Sequence, residues 1–226
     1  MLRAHRLLLI ALALLLGYPD AALRANALQL VDAMDEEGAL PAARRAELRA
    51  LAQELVRQDP MESEAHYVDT FDRGRATSLH LFEHVHGDSR DRGPAMVDLV
   101  QTYEKAGLLL GPDELPDHLC VVLEFASTQP PAVAKEFLGE MAHILNAIFS
   151  ALLQRASPYA AAVAAVLELT GERVQAVPIV ADEALDEAWA EPEAFGGCST
   201  KGQSKPGEAQ PIHIVRKSAS AQGVAV

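Results

Sequence analysis

Apolar residues recur every three or four positions along most of the chain, the spacing that places them on one face of an α-helix. Before about Val174, no run alternates β-branched or other apolar residues with polar ones, as a half-buried strand would. No internal repeat of about 20 to 50 residues is visible, which argues against a helical solenoid. The pattern therefore predicts the all-α fold class, with a single compact helical bundle.

Proline, glycine and N-capping residues divide this pattern into separate helices. We predict helices over residues 1–16, 20–36, 41–56, 61–71, 78–85, 89–105, 115–127, 131–155 and 157–169. Ser78 is expected to cap the fifth helix, and Pro116 to lie in the first turn of the seventh. Residues 131–155 carry the broadest apolar stripe, so we expect this helix at the centre of the bundle.

Three segments are expected along the chain. Residues 1–170 form the all-helical domain, and residues 171–195 form a linker with a short amphipathic helix, in which Leu185 and Trp189 lie one turn apart. Residues 196–226 are rich in Gly, Ser, Lys, Gln and Pro. Such a segment buries too little apolar surface to offset the entropy lost on ordering, so we predict a flexible C-terminal tail.

The first residues of the chain admit two interpretations. Arg3 and Arg6 precede the apolar run 7–16, which is the outline of a secretory signal peptide. The same residues also fit a buried first helix that ends at Gly17 and stops before Pro19. The run is shorter than the roughly 20 residues that a membrane-spanning helix needs, which excludes a transmembrane helix.

Composition narrows the classes of function. The chain has 226 residues, of which half are hydrophobic, so it is long enough to bury one core. Its formal net charge of −13 and its 5% of aromatic residues argue against nucleic-acid binding, which needs basic patches and stacking faces. Cys120 and Cys198 are too few for a disulfide framework, which favours a reducing compartment.

Polar residues are densest in the stretch FDRGRATSLHLFEHVHGDSRDRG. Its segment from His80 to His84 matches H-x-x-E-H, the zinc motif of inverted zincin peptidases, with Glu83 placed to activate a water. A catalytic zinc would need a third protein ligand, for which the sequence offers only guesses such as Glu124 or Glu140. The alternative, which we favour, is that these histidines bond neighbouring carboxylates and arginines in a buried or grooved polar network.

Two further groups of charge lie near this motif. Four charged residues of mixed sign follow it: Asp88, Arg90, Asp91 and Arg92. Alternating charges usually form a solvated face, but here they are crowded between Gly87 and Gly93. The second group lies around Glu114 and Asp117, which are expected to complement the dipole of the helix that follows.

The sequence resembles the NarJ family, the molybdenum-cofactor assembly chaperones of respiratory nitrate reductase, which are similar to the wider TorD-like group of redox-enzyme maturation chaperones. The resemblance spans about residues 7–198, and Cys120 departs from it, because the family more often has proline there. The stretches that carry it are LLLGYPDAAL, YVDTFDRGRATSLHLFEHVHGDSRDRGPAMVDLVQTYEKAGLLL, ELPDHLCVVLEFAS and ALDEAWAEPEAFGGC.

This resemblance implies a TorD-like bundle that is not an enzyme, binds no cofactor stably, and works in the cytoplasm as a monomer or weak dimer, with its leading leucines in the first helix. The implied partner is the apo alpha subunit of nitrate reductase, bound through its N-terminal segment while molybdenum cofactor is inserted and before membrane docking. No nucleic acid and no membrane insertion are expected. The residues that the resemblance assigns to a partner-binding groove are Glu83, His84, His86, Asp88, Ser89, Arg90, Asp91, Arg92, Asp117 and Glu124.

Overall fold

The computed structural model describes residues 2–87, 89–112 and 114–178, with the side chains of residues 2–5 left aside. Within these ranges the regular elements are helices and no strand occurs, which confirms the all-α prediction. The described helices all belong to one compact unit, Met1–Asp182. The predicted amphipathic helix around Leu185 and the predicted flexible tail lie outside the described residues, and the predicted boundary at residue 170 stays a prediction.

Local sequence signals set most helix ends. Asp20 caps the second helix, with its carboxylate accepting from the Leu23 N–H at 2.7 Å, and Gly38 ends that helix in the left-handed region at φ 64°. A short 3-10 turn, Arg75–Thr77, separates the fourth and fifth helices. The helices are α1 Leu2–Leu15, α2 Ala21–Glu37, α3 Ala42–Arg57, α4 Pro60–Phe71, α5 Leu81–His86, α6 Arg92–Lys105, α7 Leu119–Thr128, α8 Pro131–Glu140, α9 Ala142–Gln154 and α10 Ala160–Thr170.

The first helix is part of the core. It packs against α2, α7 and α10. Four of its leucines, and the leucine that follows its last residue, are fully buried. The carbonyl of Leu16 also accepts a hydrogen bond from the buried Tyr67 hydroxyl at 2.8 Å. The buried residues are Leu8, Leu9, Leu12, Leu15 and Leu16. Of the two interpretations of the leading apolar run, the structure therefore confirms the buried helix.

The single long helix predicted over residues 131–155 is wrong. The chain breaks at Met141 into α8 and α9, whose axes differ by 65°. The Met141 N–H bonds the carbonyl of Leu138 three residues back, which tightens the last turn of α8 and redirects the chain. Only α9 lies deep in the bundle, beside α10. Among the described residues, no single helix is long and apolar enough to cross a membrane.

Four predicted helix starts are also wrong, two of them for a tertiary reason. α5 begins at Leu81 instead of residue 78, and α7 begins at Leu119 instead of residue 115. The Leu81 N–H donates to the Asp117 carbonyl at 3.0 Å, and the Leu119 N–H donates to the Leu79 carbonyl at 2.8 Å. Because these two loops bond each other, their backbone groups are satisfied without extra helical turns.

The two residues expected at those starts have other positions in the structure. Ser78 does not cap α5, although its Oγ accepts from the His80 N–H at 3.2 Å. Pro116 lies in the turn before α7. The other two wrong starts are those of α6, which begins at Arg92 and not at residue 89, and of α10, which begins at Ala160 and not at residue 157.

Candidate functional site

A buried carboxylate joins the segments that the sequence analysis singled out. The Asp117 side chain has no exposed surface, and its Oδ2 accepts from the Phe82 N–H at 3.1 Å in the first turn of α5. Its Oδ1 lies 3.4 Å from His80 Nδ1, and its Oδ2 lies 3.7 Å from the Arg92 guanidinium at the start of α6. One side chain therefore holds the beginnings of α5 and α6 against the loop that leads into α7.

The partners of Asp117 keep it charged. Burial alone would raise its pKa, but the hydrogen bonds from His80 and the Phe82 N–H, together with the charge of Arg92, hold the pKa of the carboxyl below its ordinary value. The hydrogen bond to Asp117 in turn raises the pKa of His80. The two side chains therefore form an ion pair in mildly acidic solution.

A second histidine beside this pair is held neutral. His118 caps α7, with its Nδ1 accepting from the Cys120 N–H at 3.4 Å, a role that an unprotonated ring nitrogen alone can take. Burial lowers the pKa of His118, and the charge of His80 lowers it further, since the two rings lie 5.0 Å apart. His80 therefore takes up a proton at a higher pH than His118.

The zinc-hydrolase hypothesis is not supported. His80 precedes α5, so the two histidines do not lie one turn apart on a helix as the motif requires. His80 Nδ1 faces Asp117, and His84 Nε2 bonds the Ser78 carbonyl at 2.9 Å. Nowhere in the described chain do three or more His, Cys, Asp or Glu side chains converge as metal ligands. The contacts of His80 and His84 favour the polar-network interpretation.

The remaining predicted site residues differ in position and contacts. Glu83 joins the network through Arg92, with 3.4 Å between Oε1 and the guanidinium. His86 packs its ring edge-on against Phe82. The exposed turn before α6 consists of Ser89, Arg90 and Asp91. Glu124 lies apart from the network, on α7, and Asp88 lies outside the described residues. Contact of any of them with a partner stays a prediction.

A groove runs along the outer face of α7. Its wider part, of about 460 Å³, lies at the start of α7 and is lined by side chains including His80, His118 and Leu115. Its narrower part, of about 150 Å³, lies farther along, between α7 and the end of α6 with the loop after it. Both parts share Val121, Glu114 and Glu124, and the helix beneath them is about 15 Å long.

The narrower part has an apolar wall that was not predicted from the sequence. Tyr103 and Phe125, which line it, belong with Leu99 to a small cluster of buried residues that is separate from the main core. The rings of Tyr103 and Phe125 lie 4.6 Å apart, and the Tyr103 hydroxyl donates to the Pro116 carbonyl at 2.7 Å. The available signal was the apolar triplet Leu108–Leu110 inside a glycine-flanked turn, where exposed leucines are otherwise unexpected.

Two glutamates form the rim where the two parts meet. Glu114 is anchored by the Gly111 N–H, which donates to its carboxylate at 3.1 Å. Burial and the charge of Glu114 raise the pKa of Glu124. In the part of the chain that the structure describes, neither carboxylate forms an ion pair. The rim is therefore a place of negative charge beside an apolar surface.

Replacing Gly87 by alanine is expected to lower the free energy of unfolding by about 1–3 kcal/mol. Gly87 ends α5 at φ 52° and ψ −126°, a conformation that L side chains rarely adopt, and an added Cβ would lie 2.9 Å from the Arg75 guanidinium. The strain would fall on the turn between α5 and α6. Urea unfolding followed by circular dichroism measures the change.

Gly93→Ala is the matched control within the same motif. Gly93 lies in α6 with open space around its Cα, so alanine there should leave stability unchanged or raise it by about 0.5 kcal/mol. Equal unfolding midpoints for the two alanine variants would contradict the conformational role assigned to Gly87.

The fold defines a class of protein. The structure is similar to a crystal structure from Archaeoglobus fulgidus described as a redox enzyme maturation protein, with a TM-score of 0.52 and 21% identity, over 74% of this chain and 94% of that one. The chain therefore shares the helical fold of that protein.

Sequence comparisons then identify the family. Residues 37–165 match the family model described as nitrate reductase delta subunit. The chain is 42% identical over 182 residues to the nitrate reductase molybdenum cofactor assembly chaperone NarJ of Escherichia coli strain K12, covering 79% of this chain and 77% of that protein. It is 31% identical over 150 residues to a protein of Bacillus subtilis strain 168 that is also named as a NarJ chaperone. That alignment covers 66% of this chain and 80% of the other protein.

This chain belongs to the nitrate reductase delta subunit family, whose relatives here carry the names of NarJ assembly chaperones. The resemblance drawn from the sequence is thereby confirmed. The same names confirm the prediction that the protein is not an enzyme, since they describe assembly chaperones and not catalysts.

Proposed function

We propose that this protein is the system-specific chaperone that binds the apo alpha subunit of a respiratory nitrate reductase, chiefly through the N-terminal segment of that subunit. It holds the subunit in a state that accepts molybdenum cofactor and delays membrane docking until insertion is complete. It works in the cytoplasm, as a monomer or weak dimer. The cofactor is cargo of the partner and is not retained by the chaperone.

The groove along α7 is the observation that carries this proposal. A peptide that folds into an amphipathic helix on binding needs an apolar channel for its buried face. The narrower part of the groove supplies a place for one apolar side chain, lined by Tyr103, Val121 and Phe125, and the wider part continues the groove along α7. The groove is long enough for nearly three helical turns, which matches the three or four anchor positions that such helices use.

The polar network beside the groove is suited to hold its shape. Asp117 and His118 fix the start of α7, and Arg92 ties α6 to the same point. A wall held in this way loses little conformational entropy when a peptide is seated, which favours affinity. Most of the predicted motif residues then act by positioning the groove, while the exposed turn Ser89–Asp91 is free to contact the partner directly.

Charge complementarity indicates which segment is bound. The two rim glutamates and the overall charge of −13 favour a segment with basic residues beside its apolar face. Such complementarity mainly accelerates association and fixes the register of the bound helix.

We expect Glu124→Lys to weaken binding of a synthetic alpha-subunit N-terminal peptide about tenfold at low salt, because charge reversal at the rim repels a basic segment. Titration calorimetry at two salt concentrations measures the affinity of each protein for the peptide. The difference should shrink at high ionic strength, because exposed charges are screened.

Glu136→Lys supplies the control, since Glu136 is an exposed glutamate on α8 that does not line the groove. It changes the net charge by the same amount and should leave the affinity within about twofold. If wild-type protein gives no binding heat at high micromolar peptide, the proposed function is wrong; if both variants weaken binding equally, the groove is not the site.

A further inference from the structure

The narrower part of the groove has the size of a single side chain. Its volume of about 150 Å³ equals that of an engineered apolar protein cavity that stays dry and binds one benzene molecule. Its aromatic lining is held in place, because Phe125 packs edge-on against Phe137, with 5.0 Å between ring centres, and also contacts the tilted ring of Tyr103. This cavity therefore accommodates one phenylalanine- or leucine-sized group and not several.

The lining makes the cavity selective for an apolar group. The polar atom of Tyr103 is engaged by the Pro116 carbonyl, so the ring presents carbon to the cavity. Leu108, Val121 and Phe125 supply the rest of the apolar wall. A polar or charged side chain placed against this apolar wall, away from Glu114, Glu124 and Thr128, would lose its hydration and find few partners.

The rim glutamates lie at one end of the same cavity. Glu124 and Thr128, which both line it, are four residues apart on α7, a rise of about 6 Å. That distance is close to the 5.4 Å pitch of a helix lying alongside. A bound helix whose apolar side chain fills the cavity therefore brings a residue three or four positions away to the carboxylates of Glu114 and Glu124.

We propose that this cavity and its rim form a two-point reading site, which takes one phenylalanine or leucine side chain of a bound helix together with one lysine or arginine three or four positions from it. The inference rests on the proposed function for the existence of a helical ligand and adds which of its residues are read. The apolar anchor supplies most of the affinity, and the cation sets the register.

Designed peptides test the spacing. The probes are helical peptides of about 16 residues, rich in alanine and glutamine, with one phenylalanine and one lysine placed two, three, four or five positions apart. Titration with wild-type protein should show spacings of three and four binding at least about fivefold tighter than spacings of two and five. Glu124→Gln should remove that difference. Equal affinity at all four spacings would overturn the proposal.

A double-mutant cycle tests occupancy of the cavity. Replacing the peptide phenylalanine by alanine should weaken binding to wild-type protein at least about tenfold. The same replacement should weaken binding to the Val121→Phe variant less than about twofold, because the added ring already fills the cavity. Thr128→Phe fills it from the exposed rim and gives the same test if Val121→Phe does not fold. Val133→Phe, on the exposed face of α8, should retain the full tenfold effect. An unchanged effect in a folded, cavity-filled variant would refute the anchor site.

The two proposals fail in distinguishable ways. Spacing-dependent binding of the designed peptides without binding of the alpha-subunit segment would leave the reading site standing and refute the proposed function. If the alpha-subunit segment binds and its affinity does not change in the Val121 and Glu124 variants, the proposed function stands and the reading site is refuted.

Discussion

Leu12→Ala is expected to lower the free energy of unfolding by about 2–5 kcal/mol, the range for truncating a fully buried leucine. Leu12 has no exposed surface and belongs to α1, which packs between α2, α7 and α10. The surrounding helices can collapse only partly into the space left behind, so the cost includes a cavity as well as lost burial. Urea unfolding monitored by circular dichroism gives the value.

Leu14→Ala is the matched control for this prediction. It makes the same substitution two residues away on the same helix, where the leucine is 44% exposed. Its cost should be below about 1 kcal/mol, since much less apolar surface leaves the interior. If the two variants are equally stable, the leading leucines do not belong to the core, and the signal-peptide interpretation would return.

Asp117→Ala is expected to cost about 2–4 kcal/mol in the same measurement, because hydrogen bonds to a buried charged group are strong and their loss leaves partners unsatisfied. The Phe82 N–H loses its acceptor, and the side chains of His80 and Arg92 lose their counter-charge. These two side chains are partly exposed, so water replaces some of what they lose.

The cost of Asp117→Ala should depend on pH in a defined window. The pKa of Asp117 is lowered, so its stabilising effect is complete above the ordinary value of 3.8 and is lost as pH falls through the lower pKa of the folded state. The pKa of His80 is raised, so the part of the effect due to its charge is complete below 6.5 and is lost as pH rises through the raised value. The cost is therefore largest between these two values.

Asp117→Asn separates charge from shape. Asparagine has nearly the same volume and keeps an oxygen for the Phe82 N–H, so it should cost less than alanine and should show a weaker pH dependence. In this variant the pKa of His80, followed by NMR titration, should move down toward its ordinary value. A pKa of His80 that is unchanged in both variants would show that the ion pair does not form.

Sequence pattern alone predicted most of the helices and much of the core. The stripe from Leu8 to Leu16, the caps at Asp20 and Gly38, and the burial of α9 follow from spacing and local chemistry, which act within one or two turns of the chain. Periodicity could not show the break at Met141, because the apolar stripe continues across it and only the packing of two separate helices requires the turn.

The candidate site, like the fold, could be predicted only in part from the sequence. The density of histidine and charge from His80 to Arg92 was visible in the sequence, and so was the importance of Asp117 through the family resemblance. The partners of His80 were not visible, since Asp117 lies 37 residues away and meets it where two loops pair in an antiparallel bridge between His80 and His118. That pairing places His80 before α5, so the helical geometry on which the zinc motif depends is not present.

What the sequence determined by itself was the class of fold and the family, because helical periodicity and a long specific motif are properties of neighbouring residues. What only the tertiary structure decided was the groove. Its walls come from α6, the loop after it and α7, and its apolar lining and acidic rim meet only when those segments pack together. Contacts between distant segments depend on how whole helices fill space, which no local pattern records.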